Sequence, residues 1–233
     1  VNNLIANNYL RGRDSGRRYP TREQNLFVSL SKHLYAVSDG SLRYQRKVID
    51  PRLPGQKQLL RRYVVLDVDT GVLYGEYHLA SDDVDVVGFL ARAWHKKPDH
   101  PMRGFPRLLN IPKSLDGAAT DDVMDLSSRA TFEVGYLQGG FSVGIHAVKA
   151  LESRVQSLIP FHGRQATLWA VQTLSAATSR IASNSMSFAW NEEWDKIPEI
   201  PSDFFQYVDK LYTEEGAWRY EPFDVVLNGI PKS

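Results

Sequence analysis

The side chains available for chemistry in this 233-residue chain are carboxylates, histidines and hydroxyls, because it contains no cysteine. Disulfides, thiolate zinc sites, iron–sulfur clusters and cysteine nucleophiles are thereby excluded, and such a chain suits a reducing cytosol. The six histidines (His33, His78, His95, His100, His146 and His162) include no pair four residues apart and no HExxH motif, which argues against a zinc helix. No G-x-S-x-G elbow accompanies the serines, and GYLQGGFSVG lacks the Lys-Ser/Thr pair of a phosphate-binding loop. What remains is oxygen chemistry. Asp39 closes the run HLYAVSDGS, and Asp67 and Asp69 in LDVDTG have the look of a metal pair. Carboxylates are hard ligands for divalent cations. Taken singly, a strand-terminal Asp is as readily a turn former, and a helical Glu as readily a surface residue.

The elements that must position these groups follow from period and punctuation. Residues 24–37 mix apolar and polar positions and end as a strand of about six residues at a glycine-containing turn. RRYVVLDVDTG and VLYGEYHLA predict a hairpin turning at Asp69, Thr70 and Gly71. Over 82–97 the period changes, with Val84, Val87, Leu90, Ala91 and Trp94 at helical spacing, Asp at the start and Lys at the end. RLLNIP predicts a short strand, 118–128 a helix, ATFEVGYLQ a further strand, and Ser142–Leu158 a helix opened by Gly139 and Gly140. Residues 163–190 and 201–212 read as further helices, with Trp169, Trp190, Trp194 and Trp218 as packing residues. The sum is a mixed sheet whose first three strands are antiparallel and whose later strands are joined through helices.

The net charge of +1 conceals two opposed regions. Residues 1–62 hold 13 Lys or Arg against 4 Asp or Glu, whereas residues 63–233 hold 15 against 23. The crowding of Arg11, Arg13, Arg17, Arg18 and Arg22, followed by Arg43 and the basic residues up to Arg62, suits a polyanion held by counterion release. Lys96, Lys97, Arg103, Arg107 and Lys113 form a second basic string, while residues 190–233, with 10 acidic and 4 basic side chains, make a poor nucleic-acid surface. No apolar run approaches the ~18 residues of a membrane span, and the chain opens at Val1, as a fragment of a longer protein would.

This succession resembles the ribonuclease-H-like catalytic core of DDE transposases and retroviral-type integrases, nearest to the transposases of the bacteriophage Mu type. SDGS, YVVLDVDTGVLYGEYHLAS, GFPRLLNIPKS and GGFSVGIHAVKALESRVQSLI carry the likeness over roughly residues 31–160. The resemblance implies a five-stranded mixed sheet and a catalytic set of Asp39, Asn110 and Glu152. It makes Asp39 and Glu152 the ligands of two Mg2+ or Mn2+ ions that activate a water or a DNA 3′-hydroxyl for phosphoryl transfer. Asp67 and Asp69 become turn residues. Arg43, Lys113, Lys149 and Arg154 are the implied DNA contacts, and the partners are mobile-element ends and target DNA, bound as a homo-oligomer with no membrane role. The organisation expected is a basic arm at 1–30, the core at 31–160 and a mainly helical extension at 161–233, in a cytoplasmic protein of bacterial or phage type.

Asn110 departs from the family pattern, which has an acid there. An amide offers one neutral carbonyl oxygen where a carboxylate brings a full charge, so a second metal is weakened and strand cleavage is expected to be impaired or absent. Asp116, Asp121 and Asp122 lie close enough in sequence to substitute, although a loop and helix start favours capping. The alternative reading is a non-catalytic DNA-binding or assembly subunit on the same fold.

Overall fold

The computed structural model describes residues 21–39, 41–82, 86–95, 100, 102–130, 132–138, 148–149, 151–153 and 156. Its strands are β1 (Glu23–Ala36), β2 (Leu42–Tyr44), β3 (Gln58–Asp67), β4 (Leu73–Leu79), β5 (Leu108–Ile111) and β6 (Glu133–Tyr136), with helices α1 (Val86–Trp94) and α2 (Gly117–Ala130) between β4 and β5 and between β5 and β6. Residues 148–149, 151–153 and 156 are also helical.

The sheet runs β4-β3-β1-β5-β6, with β2 attached to the far end of β1. β1, β3 and β4 are antiparallel neighbours, and β1, β5 and β6 are parallel. Three antiparallel strands followed by two parallel strands in this order make the mixed, ribonuclease-H-like α/β fold that the sequence led us to expect, with β2 as a short addition. Parallel pairing requires a crossover, and α2 supplies it between β5 and β6.

Alternation along β1 and β3 feeds two cores. Leu26, Tyr63, Val65 and Tyr74 face α1 and α2, where they pack with Phe89, Leu90, Trp94, Leu109 and Val123. The opposite face holds Phe27, Leu34, Val64, Leu66, Leu73 and Tyr77, covered by Val148 and Leu151. α1 is buried nearly all round, as its composition of VVGFLARAW dictates, whereas α2 buries only Ala119, Val123, Leu126 and Ser127.

β1 differs from expectation in length. It has 14 residues rather than about six and begins at Glu23, so its first eight residues fall within the stretch expected as a basic arm. The polar residues that obscured its start are buried and satisfied within the sheet and core. Gln24 accepts the Trp94 indole N–H at 2.8 Å, and Asn25 accepts from Asn110 at 2.9 Å. The β3–β4 turn lies where the sequence placed it. Asp67 accepts from the Thr70 amide (2.9 Å) and hydroxyl (2.6 Å), and Gly71 takes a φ of 77°, a left-handed conformation that glycine adopts without a Cβ penalty.

Candidate functional site

In an open α/β sheet, ligand sites form beyond the carboxyl ends of the strands, where the strand order reverses. Here that point lies between β1 and β5, on the face covered by the helical residues around Glu152. Register fixes which side chains reach it. Asn25 pairs with Asn110 across β1 and β5, Ser29 pairs with Arg62 across β1 and β3, and Arg62 pairs with Tyr77 across β3 and β4. Directly paired residues share a face, so these groups line one side of the sheet.

Glu152 is the acid at the centre of this face. Its Oε1 accepts the Ser31 hydroxyl at 2.6 Å, and its Oε2 receives the Arg62 Nη1 in a close ion pair. The two side chains are 12% and 5% exposed, so the pair is held away from solvent. Arg62 is also tied to β1, donating Nε to Ser29 Oγ (3.3 Å) and Nη2 to the Leu30 carbonyl (3.1 Å). Ser31 is delivered by a break in register between Leu30 and Tyr35, and its oxygen also accepts the Leu34 amide at 3.0 Å. The Tyr77 hydroxyl is buried against the pair and makes no hydrogen bond of good geometry. Burial first, and the Glu152 charge second, push its titration upward against a smaller pull from Arg62.

The helix reaches the sheet this closely because β4 carries Gly75 beneath it. A Cβ at that position would stand 2.3 Å from Leu151 Cδ2. Gly135 does the same for Asn110, whose Oδ1 would lie 2.7 Å from an added Cβ.

Asn110 belongs to a separate polar group further back along β1. Its Nδ2 donates to Glu23 Oε1 (2.8 Å) and Asn25 Oδ1 (2.9 Å). Asn25 and Ser29 are four residues apart on one strand, a span of about 13 Å at ~3.3 Å per residue. Asp39 lies beyond the other end of β1, exposed in the turn before β2, where its Oδ1 accepts the Ser41 amide at 2.8 Å. The nearby Ser41 hydroxyl and then that amide hold its carboxyl below the usual range, although the hydroxyl itself makes no hydrogen bond of good geometry.

The structure therefore places Asp39, Asn110 and Glu152 in three neighbourhoods, each with its own partners. Asp39 is separated from the other two because β1 starts eight residues earlier than expected and its extra length carries Asp39 away from β5. Among the described residues, no group of three or more His, Asp or Glu side chains could hold a metal ion. The Mg2+ or Mn2+ implied by the family resemblance does not fit what is present. Asp39 is remote, Asn110 is an amide bonded to acceptors, and both Glu152 oxygens are engaged.

Lys113 is exposed two residues past β5, Lys149 is exposed on the helix, and Arg43 is half-buried on β2. Arg154 lies outside the described residues, as do Lys96, Lys97, His146 and the four tryptophans beyond 160. Asp116 caps α2, accepting the Ala118 amide at 3.1 Å, while Asp121 and Asp122 are exposed on that helix. Asp67 is fully buried and accepts from Thr21 as well as Thr70, and burial raises its pKa to about 6. It is a turn residue, as expected.

Sequence reasoning missed Asn25, Ser29, Ser31 and Arg62. One signal was available: Arg62, Val64 and Leu66 alternate onto one face of an apolar strand, so Arg62 had to be buried and had to find an acid. A second such centre occupies the opposite face. Glu76 of β4 receives Arg92 of α1 through two bonds of 2.7 Å, the Tyr74 hydroxyl at 2.8 Å, and lies 2.8 Å from His78 Nε2. Burial raises its pKa, but the Arg92 charge and His78 outweigh that and hold it well below the usual carboxylate range.

No protein-family model matches the chain, and no curated protein does. Among solved structures it is similar to the HTLV-2 integrase catalytic core domain in complex with magnesium, in a dimeric form, at 9% identity and a TM-score of 0.45 over 72% of this chain and 87% of that one. It is also similar to a chain of the simian T-cell lymphotropic virus intasome in complex with the PP2A regulatory subunit B56 gamma, at 9% identity and a TM-score of 0.45 over 78% of this chain and 58% of that one. The fold assignment rests on the strand order and register above. No described helix is long and apolar enough to cross a membrane.

Proposed function

We propose that this chain is a transposase/integrase-core-like protein that acts on DNA in integration or transposition as a non-catalytic binding or assembly subunit. The observation that carries the reading is the amide pair Asn25 and Asn110 facing each other across β1 and β5, at the switch point where a phosphoryl-transfer core of this topology needs acids. With amides there, the site lacks the charge to hold two divalent ions. DNA binding is supported by the basic surplus of residues 1–62 and by Lys113 and Lys149, which stand exposed beside the β5 exit and on the Glu152 helix. Arg43 and Arg154 join them as backbone contacts. The protein works in the cytoplasm of a bacterial or phage system, as a homo-oligomer assembled on mobile-element ends and target DNA. The competing reading, an active enzyme using Asp39, Asn110 and Glu152 with Mg2+ or Mn2+, requires a rearrangement of β1.

A nicking and strand-transfer assay with Mn2+, run on this chain and on Asn110→Asp alongside DNA binding over a salt series, tests the proposal. The expected result is binding that weakens steeply with salt and no cleavage by either protein. Cleavage by the unmodified chain refutes the non-catalytic role, and absent binding refutes the DNA role.

A further inference from the structure

We infer that the guanidinium of Arg62 is the resident counter-cation of Glu152, built into the sheet, and that it closes this end of the fold to divalent metals. An acidic helix residue aimed at the central strand from the covered face is a ready-made cation ligand. Here both of its oxygens are committed, one to the Ser31 hydroxyl and one to Arg62 Nη1. The cation is anchored as firmly as its anion, because Nε and Nη2 bond Ser29 Oγ and the Leu30 carbonyl. A metal entering the site has to displace a guanidinium that is buried and bonded to both β1 and the helix. Gly75 and Leu151 bring the helix down onto β4, and Tyr77 fills the space beside the pair.

The β1 side chains that bond this pair are equally unsuited to a metal. Ser29 and Ser31 are hydroxyls, and hard divalent ions are held chiefly by carboxylates. One positive charge therefore meets one negative charge with no ion from solution, and the helix docks without metal. The inference does not depend on DNA binding. A chain that fails to bind DNA loses the function proposed above and leaves this pair as it stands.

The test is Mn2+ titration followed by electron paramagnetic resonance, together with thermal melts in Mn2+ and in EDTA. For the unmodified chain we expect no saturable Mn2+ site and a Tm that neither additive moves. A saturable Mn2+ site that Glu152→Gln abolishes overturns the inference, whatever the variants' melting temperatures. The charge pairing is tested by Arg62→Met, Glu152→Gln and the double variant. Each single change strands a buried charge and lowers Tm by about 6–20 °C, whereas the double variant falls no further than either single one. A double variant whose loss equals the sum of the two overturns the pairing. Where a single variant does not fold, a folded double variant supports it.

Discussion

Gly75→Ala tests whether the helix bearing Glu152 is seated on the sheet as described. In a strand interior with free space, replacing glycine by alanine removes backbone entropy from the unfolded chain and stabilises by roughly 0.5–1 kcal/mol. At Gly75 the sign reverses. The new Cβ would meet Leu151 Cδ2 at 2.3 Å, over 1 Å inside ordinary contact, with the Tyr63 carbonyl at 3.3 Å and Val64 Cγ2 at 3.4 Å on other sides. Leu151 is fully buried, so either its rotamer or the helix must shift. Overpacking of this kind costs about 1–3 kcal/mol, which in a chain of this size lowers Tm by about 2–12 °C. Circular-dichroism melts of Gly75→Ala measure it, with Gly117→Ala as control because nothing lies within 4 Å of that position. Leu151→Ala alone should lose about 2–5 kcal/mol. Combined with Gly75→Ala it should lose less than the sum, since the added methyl occupies part of the hole. A Gly75→Ala protein more stable than the parent, or strict additivity in the pair, refutes the seating and with it the placement of Glu152.

Three other perturbations have definite signs. Burial raises the Asp67 pKa from 3.8 to about 6, so the fold binds its proton more tightly than the unfolded chain does. That stabilisation is complete below pH 3.8 and is lost as pH rises through about 6; it amounts to about 3 kcal/mol, and the corresponding slope in urea titrations should vanish in Asp67→Asn. Arg92→Met strands the Glu76 carboxylate with Tyr74 and His78 as its remaining partners among the described residues, and denaturant unfolding should register a loss of about 3–5 kcal/mol. Asn110→Asp removes the Nδ2 donor that bridges Glu23 Oε1 and Asn25 Oδ1 and sets a carboxylate against two acceptors. It should lower stability at neutral pH by about 1–3 kcal/mol and recover as pH falls, read by melts across pH; an unchanged Tm would contradict the hydrogen bonds assigned to Asn110.

Most of the strands were legible in the sequence, because RRYVVLDVDTGVLYGEYHLA and ATFEVGYLQ alternate or run apolar and end at recognisable turns. The start of β1 was not. Gln24 and Asn25 read as loop residues, and only the tertiary partners Trp94 and Asn110 turn them into buried strand positions. That misjudged start misplaced Asp39, since six residues of strand would have ended near β5 and fourteen do not. The site was legible in part. Glu152 could be singled out by its helix, but its partner Arg62 is 90 residues away in sequence, and nothing local specifies that the two meet. Ser31 turns inward at a break in register, which period-two reasoning does not anticipate.

The most direct test of the central claim is a side-by-side measurement of DNA binding and Mn2+-dependent cleavage by the unmodified chain on one duplex substrate over a salt series. The account predicts binding whose logarithm falls linearly with the logarithm of salt concentration, about 0.9 per phosphate neutralised, with the DNA left intact. Cleavage that requires Mn2+ and disappears in Glu152→Gln would contradict it.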